Sequence, residues 1–204
     1  MAGNCIIDDE VVCKAARDEV IRRYYVGMCD YRKGQITDDE LMKLELLMKQ
    51  ANVTTEDRKV VAAALEREKE TGAPAAAMEL PDGTIITGKT SNLLGAVSAL
   101  LLNALKYFGE IPDDVLLMSP HVIEPIQNLK VQHLGNNNPR IHTDETLLAL
   151  SICANTDENA KKAMEQISKL RGCEVHSTVI LSPVDERIFK RLGINLTCEP
   201  KYQS

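Results

Sequence analysis

Aromatic side chains are scarce in this 204-residue sequence, where they make up 3% of the residues, and tryptophan is absent. Hydrophobic residues still account for 44% and charged residues for 26%, which is ordinary for a globular protein. The length fits one large domain or two small ones. A core of that size must therefore be built almost entirely from aliphatic side chains.

The sequence also lacks an excess of positive charge, since 24 Lys and Arg stand against 30 Asp and Glu for a net charge of −6. Both halves of the chain are acidic, so neither provides a basic surface that would follow a phosphate backbone. The longest apolar run, residues 93–109, is interrupted by Ser98 and Asn103 and is too short to span a membrane. We therefore expect no nucleic-acid partner and no membrane partner.

A secretory signal is missing as well, because the opening MAGNCIIDDE has neither a basic segment nor an apolar one. The six cysteines stand singly in the sequence, which indicates reduced thiols and a cytoplasmic location. Cys173, His176 and Cys198 would offer three soft metal ligands. A structural zinc site usually needs a second closely spaced pair, which this chain does not have, so we predict no metal and no cofactor.

Residues 1–72 predict a small helical subdomain. Apolar residues recur at helical spacing in a first segment, residues 8–34, in a second that follows Thr37, and in a third from about Thr54 to Gly72. Acidic residues at the segment starts and glycines at the ends are typical helix boundaries. The many charges in this region are typical of solvated helix faces.

Residues 73–204 follow a different pattern, in which short β-like runs alternate with helical segments. The runs AAAMEL and TIITGK flank Pro81-Asp82-Gly83, a turn sequence that predicts a β-hairpin. Further strands are expected in DDVLLMSP, EVHSTVILSP and INLTCEP, and parallel pairing with helices on both faces is favoured. Helices are expected to start at Ser91 or Asn92, at Ser119-Pro120 and at Ser182-Pro183, where the serine would be the N-cap and the proline the first helical residue. We therefore predict an α/β fold in which the helical subdomain precedes a mixed-sheet α/β/α subdomain with a leading hairpin.

The carboxyl ends of the predicted strands carry polar residues. In sheets of this kind, ligands bind outside those ends. The relevant segments are residues 87–91, 119–121 and 182–185. Their polar side chains give three pocket candidates: Ser119, His121 and Ser182.

The segment GTIITGKT, residues 83–90, matches the P-loop pattern G-x-x-x-x-G-K-[ST] letter by letter. Its four middle residues are all β-branched, and such residues favour a strand over a loop that bends around phosphate. We therefore interpret the segment as the second strand of the hairpin. A weaker hypothesis remains where this strand gives way to the next helix, because N–H groups at a helix start bind anions. The anion-binding candidates are Gly88, Lys89, Thr90 and Ser91.

Established catalytic motifs are missing, including H-E-x-x-H of zinc proteases and the G-x-S-x-G nucleophile elbow. Ser177 and His176 do not form part of a triad, because adjacent strand residues point to opposite faces. His176, as an acid or base, is the weak catalytic candidate that the sequence offers. The loop NNNPR with His142 is either a binding loop or a solvated turn.

Four segments resemble the bacterial family called domain of unknown function 1846: ELPDGTIITGK, LLGAVSALLLNALK, LRGCEVHSTVILSPVDE and LGINLTCEP. The opening MAGNCIIDDEVV and the segment EVIRRYY resemble the middle region of the same family. The likeness covers essentially the whole chain. Its most specific part is the block RGCEVHSTVILSP.

Family members are much longer and have an α/β region ahead of the part that this chain resembles. The resemblance therefore implies a C-terminal fragment, and it implies no established activity. Some members carry a label of ATP-dependent peptidase or zinc protease, but no motif here supports that label. The order of hairpin, helix and strand is also similar to a cytidine-deaminase-like topology, although the zinc signature H-x-E with P-C-x-x-C is missing.

We therefore expect an uncharacterised structural or assembly module of a cytoplasmic bacterial protein. It would pack on the N-terminal region of the full-length protein and assemble with itself as a homo-oligomer. The alternative is an enzyme domain that binds a phosphorylated or nucleotide-like ligand at the strand carboxyl ends, with Lys89 as the cation and His176 as the acid/base. Clustering of Lys89, His121 and His176 around a cavity would favour the enzyme, and dispersal would favour the module.

Overall fold

The computed structural model describes residues 9–203. Residues 1–8, which include Cys5 and most of the segment on which the expectation of no secretory signal rests, lie outside these residues. Three helices come first: α1 (Asp9–Arg32), α2 (Asp38–Ala51) and α3 (Lys59–Thr71), with a short 3-10 turn at Thr55–Asp57 before α3. All three were expected from the sequence.

The rest of the described chain begins with a hairpin of two strands. Four helices, a third strand, a fifth helix and a fourth strand follow it. The elements are β1 (Ala75–Glu79), β2 (Ile85–Lys89), α4 (Ala96–Phe108), α5 (Pro120–Asn128), α6 (Thr143–Cys153), α7 (Glu158–Met164), β3 (Glu174–Ser177), α8 (Pro183–Leu192) and β4 (Asn195–Cys198). A π-helical turn at Leu129–His133 follows α5, and a 3-10 turn at Ile167–Leu170 follows α7.

The four strands form one sheet in the order β2-β1-β3-β4. Strand β1 is antiparallel to both of its neighbours, while β3 and β4 are parallel. Three strands, β2, β3 and β4, therefore run in one direction and end on the same side of the sheet. The predicted mixed sheet with a leading hairpin is confirmed, and a cytidine-deaminase-like topology stays a prediction.

The strand predicted in DDVLLMSP is wrong. Residues 113–118 form turns and irregular chain instead, and Lys106 Nζ donates a hydrogen bond to the Asp113 carbonyl at 2.9 Å. Leu117 and Met118 are buried in the core without joining the sheet. A short apolar run indicates burial but does not by itself indicate a strand. Parallel pairing is also less common than expected, because it joins only β3 and β4 within the described sheet.

Helices cover both faces of the sheet. One face lies against an aliphatic core formed with α4, α6, α7 and α8, in which Met78 and Phe189 are fully buried. On the other face, Val60 and Ala64 of α3 pack on Ala77 of β1. This arrangement confirms the α/β/α layers. Helix α3, which lies before the predicted subdomain boundary at residue 72, packs directly on the sheet that follows that boundary. The boundary itself stays a prediction.

No helix in the described part of the chain is both long and apolar enough to cross a bilayer. The strongly apolar α4 has 13 residues. A membrane-spanning helix needs about 20.

Candidate functional site

A groove of about 1140 Å³ lies between the α1–α2 helical hairpin and the sheet edge formed by β4. We call it the β4 groove. One wall is made by α1 and α2, with the apolar side chains of Val26, Leu44 and Leu47. The opposite side is made by residues 193–198 and by polar side chains of α8. Clefts of this size with mainly apolar linings are typical binding sites.

Local sequence explains why α1 and α2 form a rigid wall. Helix α2 begins with a capping box, in which the Thr37 backbone N–H donates to Glu40 Oε2 at 2.9 Å. It ends at Asn52, which adopts a left-handed conformation with φ of 50°. Gly27 lets α2 approach α1 closely, because a Cβ atom there would lie 2.2 Å from Leu44 Cδ1.

A buried arginine fastens the chain before α3 to the sheet beside this groove. Arg58 is only 6% exposed and forms an ion pair with Glu174 of β3. Its other hydrogen bonds go to Thr197 Oγ1 at 3.1 Å and to the carbonyls of Val175 and Asn195 at 2.9 Å. One side chain therefore binds β3 and β4 together and joins both to the helices. Sequence reasoning missed this residue, because an arginine in a charged segment has no local signal of burial.

His176, the weak catalytic candidate, lies fully buried in the same network. Its Nδ1 is 2.9 Å from Thr197 Oγ1, and its Nε2 is 3.1 Å from Glu199 Oε1. Its ring also contacts that of Tyr25 in α1, with 4.8 Å between the ring centroids. Burial lowers the pKa of His176, although the hydrogen bond that His176 donates to Glu199 opposes that effect. Both ring nitrogens are thus engaged within the chain, and a role as acid or base stays a prediction.

A second histidine lies at the carboxyl-end side of the sheet, where α6 and α8 begin. Asp185 Oδ2 is 3.0 Å from His142 Nδ1 and accepts a 2.7 Å hydrogen bond from Ser182 Oγ. Asp185 Oδ1 accepts from the backbone N–H and the hydroxyl of Thr143, each at 2.9 Å. The hydrogen bond between His142 and Asp185 raises the pKa of His142. Burial would raise the pKa of Asp185, but its hydrogen bonds outweigh burial and hold that pKa below its usual value.

Ser182, His142 and Asp185 nevertheless lack the geometry of a catalytic triad. In a triad the histidine stands between the acid and the serine and uses a different nitrogen for each. Here Ser182 Oγ is bonded directly to Asp185, and it lies 3.4 Å from the same Nδ1 that faces Asp185. Ser182 Oγ also accepts from the Asp185 backbone N–H at 3.2 Å, which confirms its predicted role as the N-cap of α8. The cluster joins two helix starts.

Gly88 and Lys89, two of the anion-binding candidates, lie at the end of β2. A Cβ atom on Gly88 would be 2.3 Å from the Leu100 backbone nitrogen, so glycine is needed where β2 meets α4. The side chain of Lys89 is exposed.

Thr90 and Ser91 use their backbone N–H groups within the chain. Thr90 donates to the Pro74 carbonyl at 2.8 Å, and Ser91 donates to the Leu94 carbonyl at 2.9 Å. The expected helix start at Ser91 or Asn92 is wrong, because α4 begins only at Ala96 and Ser91 closes a turn before it. Anion binding by these residues stays a prediction. The backbone N–H groups of Thr90 and Ser91 do not support it, because each already donates to a carbonyl of the chain.

The remaining pocket candidates, Ser119 and His121, are exposed at the start of α5. Helix α5 begins at Pro120 as expected, without a hydrogen bond from the Ser119 side chain, and it continues through Pro125. None of the catalytic, anion-binding or pocket candidates lines the β4 groove, although Cys198, which was considered as a metal ligand, does. Two of these candidates, Ser91 and Ser182, contact the loop at residues 140–142. Arg140 Nε donates to the Ser91 carbonyl at 2.7 Å, and His142 contacts Ser182. Lys89, His121 and His176 lie in three separate elements, at the end of β2, at the start of α5 and in β3.

Two cysteines lie close together at the β4 groove. Cys29 Sγ of α1 donates to the Cys198 carbonyl of β4 at 3.3 Å, and both side chains are buried. Burial raises the pKa of the Cys29 thiol to about 11. Cys173 is also buried, and no group of three or more His, Cys, Asp or Glu side chains in residues 9–203 is arranged to hold a metal ion.

Two family models match the chain and together cover nearly all of it. Residues 1–52 match "Domain of unknown function DUF1846, N-terminal", and residues 56–204 match "Domain of unknown function DUF1846, C-terminal". The junction between the two matches falls at the end of α2. The N-terminal model thus contributes α1 and α2 to the wall of the β4 groove, and the C-terminal model contributes α8 and β4.

Curated relatives point to the same family. UPF0371 proteins of Corynebacterium efficiens and Corynebacterium urealyticum are 53% and 52% identical to this chain over 203 and 202 residues. A UPF0371 protein of Streptococcus pneumoniae is 45% identical over 203 residues. The matches cover 99% or more of this chain but 41% of each relative. Their names state no activity, and the chain belongs to the DUF1846 family of uncharacterised bacterial proteins.

Proposed function

We propose that this chain is an interaction module whose β4 groove receives the rest of the family's N-terminal domain. The observation that carries the proposal is that the groove straddles the junction between the two family matches. Its α1–α2 wall lies in the N-terminal match, and its β4 and α8 side lies in the C-terminal match. A groove at such a junction is where the two domains of a longer relative would meet.

The length of the relatives supports a large occupant. This chain corresponds to 41% of their length, and its share of the N-terminal match is formed in the described residues by α1 and α2 alone. Two helices cannot enclose a core of their own, because a helix buries its apolar stripe only against another layer. The rest of that domain is therefore the natural cover for whatever α1 and α2 leave exposed.

Large apolar side chains do remain exposed on this hairpin. Val26 is 51% exposed and Leu46 is 54% exposed, and both line the β4 groove. Met42, also on α2, is 64% exposed. A cluster of exposed apolar residues beside a groove is typical of an interaction surface, whereas single ones are not. An occupant that buries these side chains gains hydrophobic free energy in proportion to the apolar area covered.

Charged side chains of both signs surround the apolar part of the groove. The rim carries acidic and basic residues from α1, α2 and α8: Glu19, Arg23, Asp30, Lys33, Glu40, Lys43, Glu186 and Lys190. An apolar centre with a polar rim is the usual anatomy of a protein–protein interface. Mixed charge at the rim favours a protein surface over a phosphate-rich ligand, which would need a cationic groove.

The cytoplasmic location expected from the sequence belongs to this proposal, and the expected self-assembly would use a surface other than the β4 groove. A second copy of the chain is the competing occupant, because the groove would be equally open to it. The enzyme alternative, with a phosphorylated or nucleotide-like ligand held by Lys89, stays a prediction that no contact described above favours. Equal thermal shifts by such ligands in wild type and in Lys89→Ala would rule out Lys89 as its anion site.

The experiment mixes this chain with the part of the Corynebacterium efficiens relative that lies outside the aligned 203 residues. Isothermal titration calorimetry measures their affinity. Leu46→Glu, in the groove, is expected to weaken binding at least tenfold, because it buries a charge in the apolar contact. Leu148→Glu on α6 is the matched control, since Leu148 is similarly exposed at 65% but lies outside the groove. It should leave the affinity unchanged.

Two results would overturn the proposal. One is the absence of binding to wild type, or an equal loss of affinity in the Leu46→Glu and Leu148→Glu variants. The other is a self-associated wild-type chain in sedimentation analysis that Leu46→Glu converts to monomer, since the groove would then be occupied by a second copy.

A further inference from the structure

We infer that the occupant enters the β4 groove as an extended segment, which pairs with the outer edge of β4 and becomes a fifth strand of the sheet. This inference rests on the proposed docking function and adds the mode of recognition. Strand addition to an open sheet edge is a general way of binding, in which backbone hydrogen bonds give affinity and side-chain pockets give specificity.

The pairing between β3 and β4 shows which backbone groups of β4 face outward. The Asn195 N–H donates to the Cys173 carbonyl, and the Glu199 N–H donates to the Ser177 carbonyl, each at 2.9 Å. Because strand residues alternate in direction, residues 195, 197 and 199 direct their N–H groups toward β3. The N–H and C=O groups of the residues between them, Leu196 and Cys198, therefore point away from the sheet.

These outward groups are largely unpaired. The Cys198 carbonyl accepts the weak hydrogen bond from Cys29 Sγ. For the Leu196 N–H, the Leu196 carbonyl and the Cys198 N–H, residues 9–203 provide no hydrogen-bond partner. Both residues line the β4 groove, so the open edge faces the space in which the occupant would lie. An open edge of this kind is a template for pairing with another strand.

The opposite edge of the same sheet lies against α4. On β2, the Thr87 carbonyl points away from β1 and accepts a 2.9 Å hydrogen bond from Asn103 Nδ2 of α4. Tyr107 of the same helix donates to Asp82 Oδ2 at 3.1 Å and lies 3.1 Å from the hydroxyl of Thr84. On each edge one outward carbonyl therefore accepts a side-chain hydrogen bond, and the two edges differ in what lies beside them: helix α4 at β2 and the apolar groove at β4.

Side chains beside the open edge define what the added strand must present. Alternate side chains of a strand point to opposite faces of the sheet. On one side they would meet the apolar wall of Leu44 and Leu47, and on the other they would meet Glu186 and Lys190 of α8. The segment expected is a short extended stretch of the N-terminal domain that alternates apolar and polar side chains.

Two variants at one position separate the backbone from the side chain. Leu196→Pro removes the outward N–H and obstructs pairing at the edge, whereas Leu196→Ala removes the same side chain and keeps the N–H. With the remaining part of the Corynebacterium efficiens relative as the probe, we expect Leu196→Pro to bind at least tenfold more weakly than Leu196→Ala. Circular dichroism and thermal unfolding check that both variants fold.

Hydrogen exchange of the wild-type chain provides a second measurement that needs no variant. On addition of the probe, the backbone amides of Leu196 and Cys198 should exchange at least tenfold more slowly, because strand pairing protects them. Binding with equal affinity in both variants and without protection of these amides would overturn strand addition and leave the docking proposal intact. No binding of the probe to wild type would instead overturn the proposed function itself.

Discussion

The two faces of the sheet are closed by different chemistry. On one face, four helices bury aliphatic side chains around Met78, Leu105 and Phe189, all of which are fully buried. On the other face, the contact between the helices and the β3–β4 half of the sheet is organised by polar groups, with Arg58 and His176 at its centre. The β4 groove opens on this second side.

The difference between the two faces shows which side of the sheet is enclosed by the chain's own side chains and which side carries an open groove. Aliphatic packing is non-directional, and it encloses the first face without help from elsewhere. A buried polar network fixes one orientation of its partners, because each group must keep its hydrogen bonds. We infer that the network holds α1 and α2 at a defined distance from β4, so that the groove keeps its shape before it is filled.

Removal of Arg58 should have the largest effect on the polar face. We expect Arg58→Ala to lower the free energy of unfolding by about 3–5 kcal/mol, because it removes a buried guanidinium that bonds Glu174, Thr197 and two strand carbonyls. Urea unfolding measures the loss. Amide exchange should rise first in α1 and α2 while α4 stays protected.

Phe189→Ala is the matched change on the aliphatic face. It should lower the free energy of unfolding by about 3–5 kcal/mol through lost burial and a new cavity. Here exchange should rise in α4 and in α1 together. Identical exchange patterns for Phe189→Ala and Arg58→Ala would contradict the distinction between the two faces.

Two glycines give a comparison of moderate size. Gly88→Ala should destabilise the fold by about 1–3 kcal/mol, because the new Cβ atom would meet the backbone of α4 at Leu100. Gly27→Ala should have a smaller effect, since its Cβ atom meets the flexible side chain of Leu44. Thermal unfolding of the two variants measures the difference. A larger loss in Gly27→Ala would mean that the α1–α2 wall is packed as tightly as the aliphatic core.

The two histidines should give the smallest effects, and their signs should be opposite. The pKa of His176 is lowered from 6.5 by burial, so the unfolded chain binds the proton more readily and stability falls as the pH drops below about 6.5. Glu199 adds a separate loss of stability at lower pH, below its ordinary pKa of 4.5, because the hydrogen bond from His176 holds the pKa of Glu199 below that value. The pKa of His142 is raised by Asp185, so its contribution is present at low pH and is lost as the pH rises through that raised pKa.

Unfolding measured from pH 5 to pH 8 tests these signs. His176→Gln should flatten the loss of stability on the acidic side, and His142→Asn should flatten the loss on the neutral side. A wild-type profile that keeps its shape in both variants would show that neither histidine contributes to the pH dependence.

Local signals in the sequence were enough for much of the fold. Four β-branched residues after a Pro-Asp-Gly turn predicted a hairpin strand where the motif GTIITGKT suggested a phosphate loop, and β2 occupies that place. The Ser182-Pro183 pair predicted the start of α8, and Ser182 does cap it. In each case the deciding interactions lie within a few residues, so the sequence contains them.

Other features depend on partners that are distant along the chain. Arg58 binds Glu174 across 116 positions, and His142 meets Asp185 across 43, so no local pattern marks either contact. Residues 113–118 looked like a buried strand, but the run places Leu117 and Met118 in the core without joining the sheet, and no local pattern separates these two outcomes. The β4 groove was missed for the same reason, because its walls come from two ends of the chain.

Hydrogen exchange across the whole chain, with and without the rest of the Corynebacterium efficiens relative, tests the central claim most directly. The account predicts slower exchange confined to α1, α2 and residues 193–198, which form the β4 groove, with the loop at residues 140–142 unchanged. Slower exchange at that loop and at Gly88–Ser91, with the groove unchanged, would contradict the account and would place the binding site at the carboxyl ends of the strands.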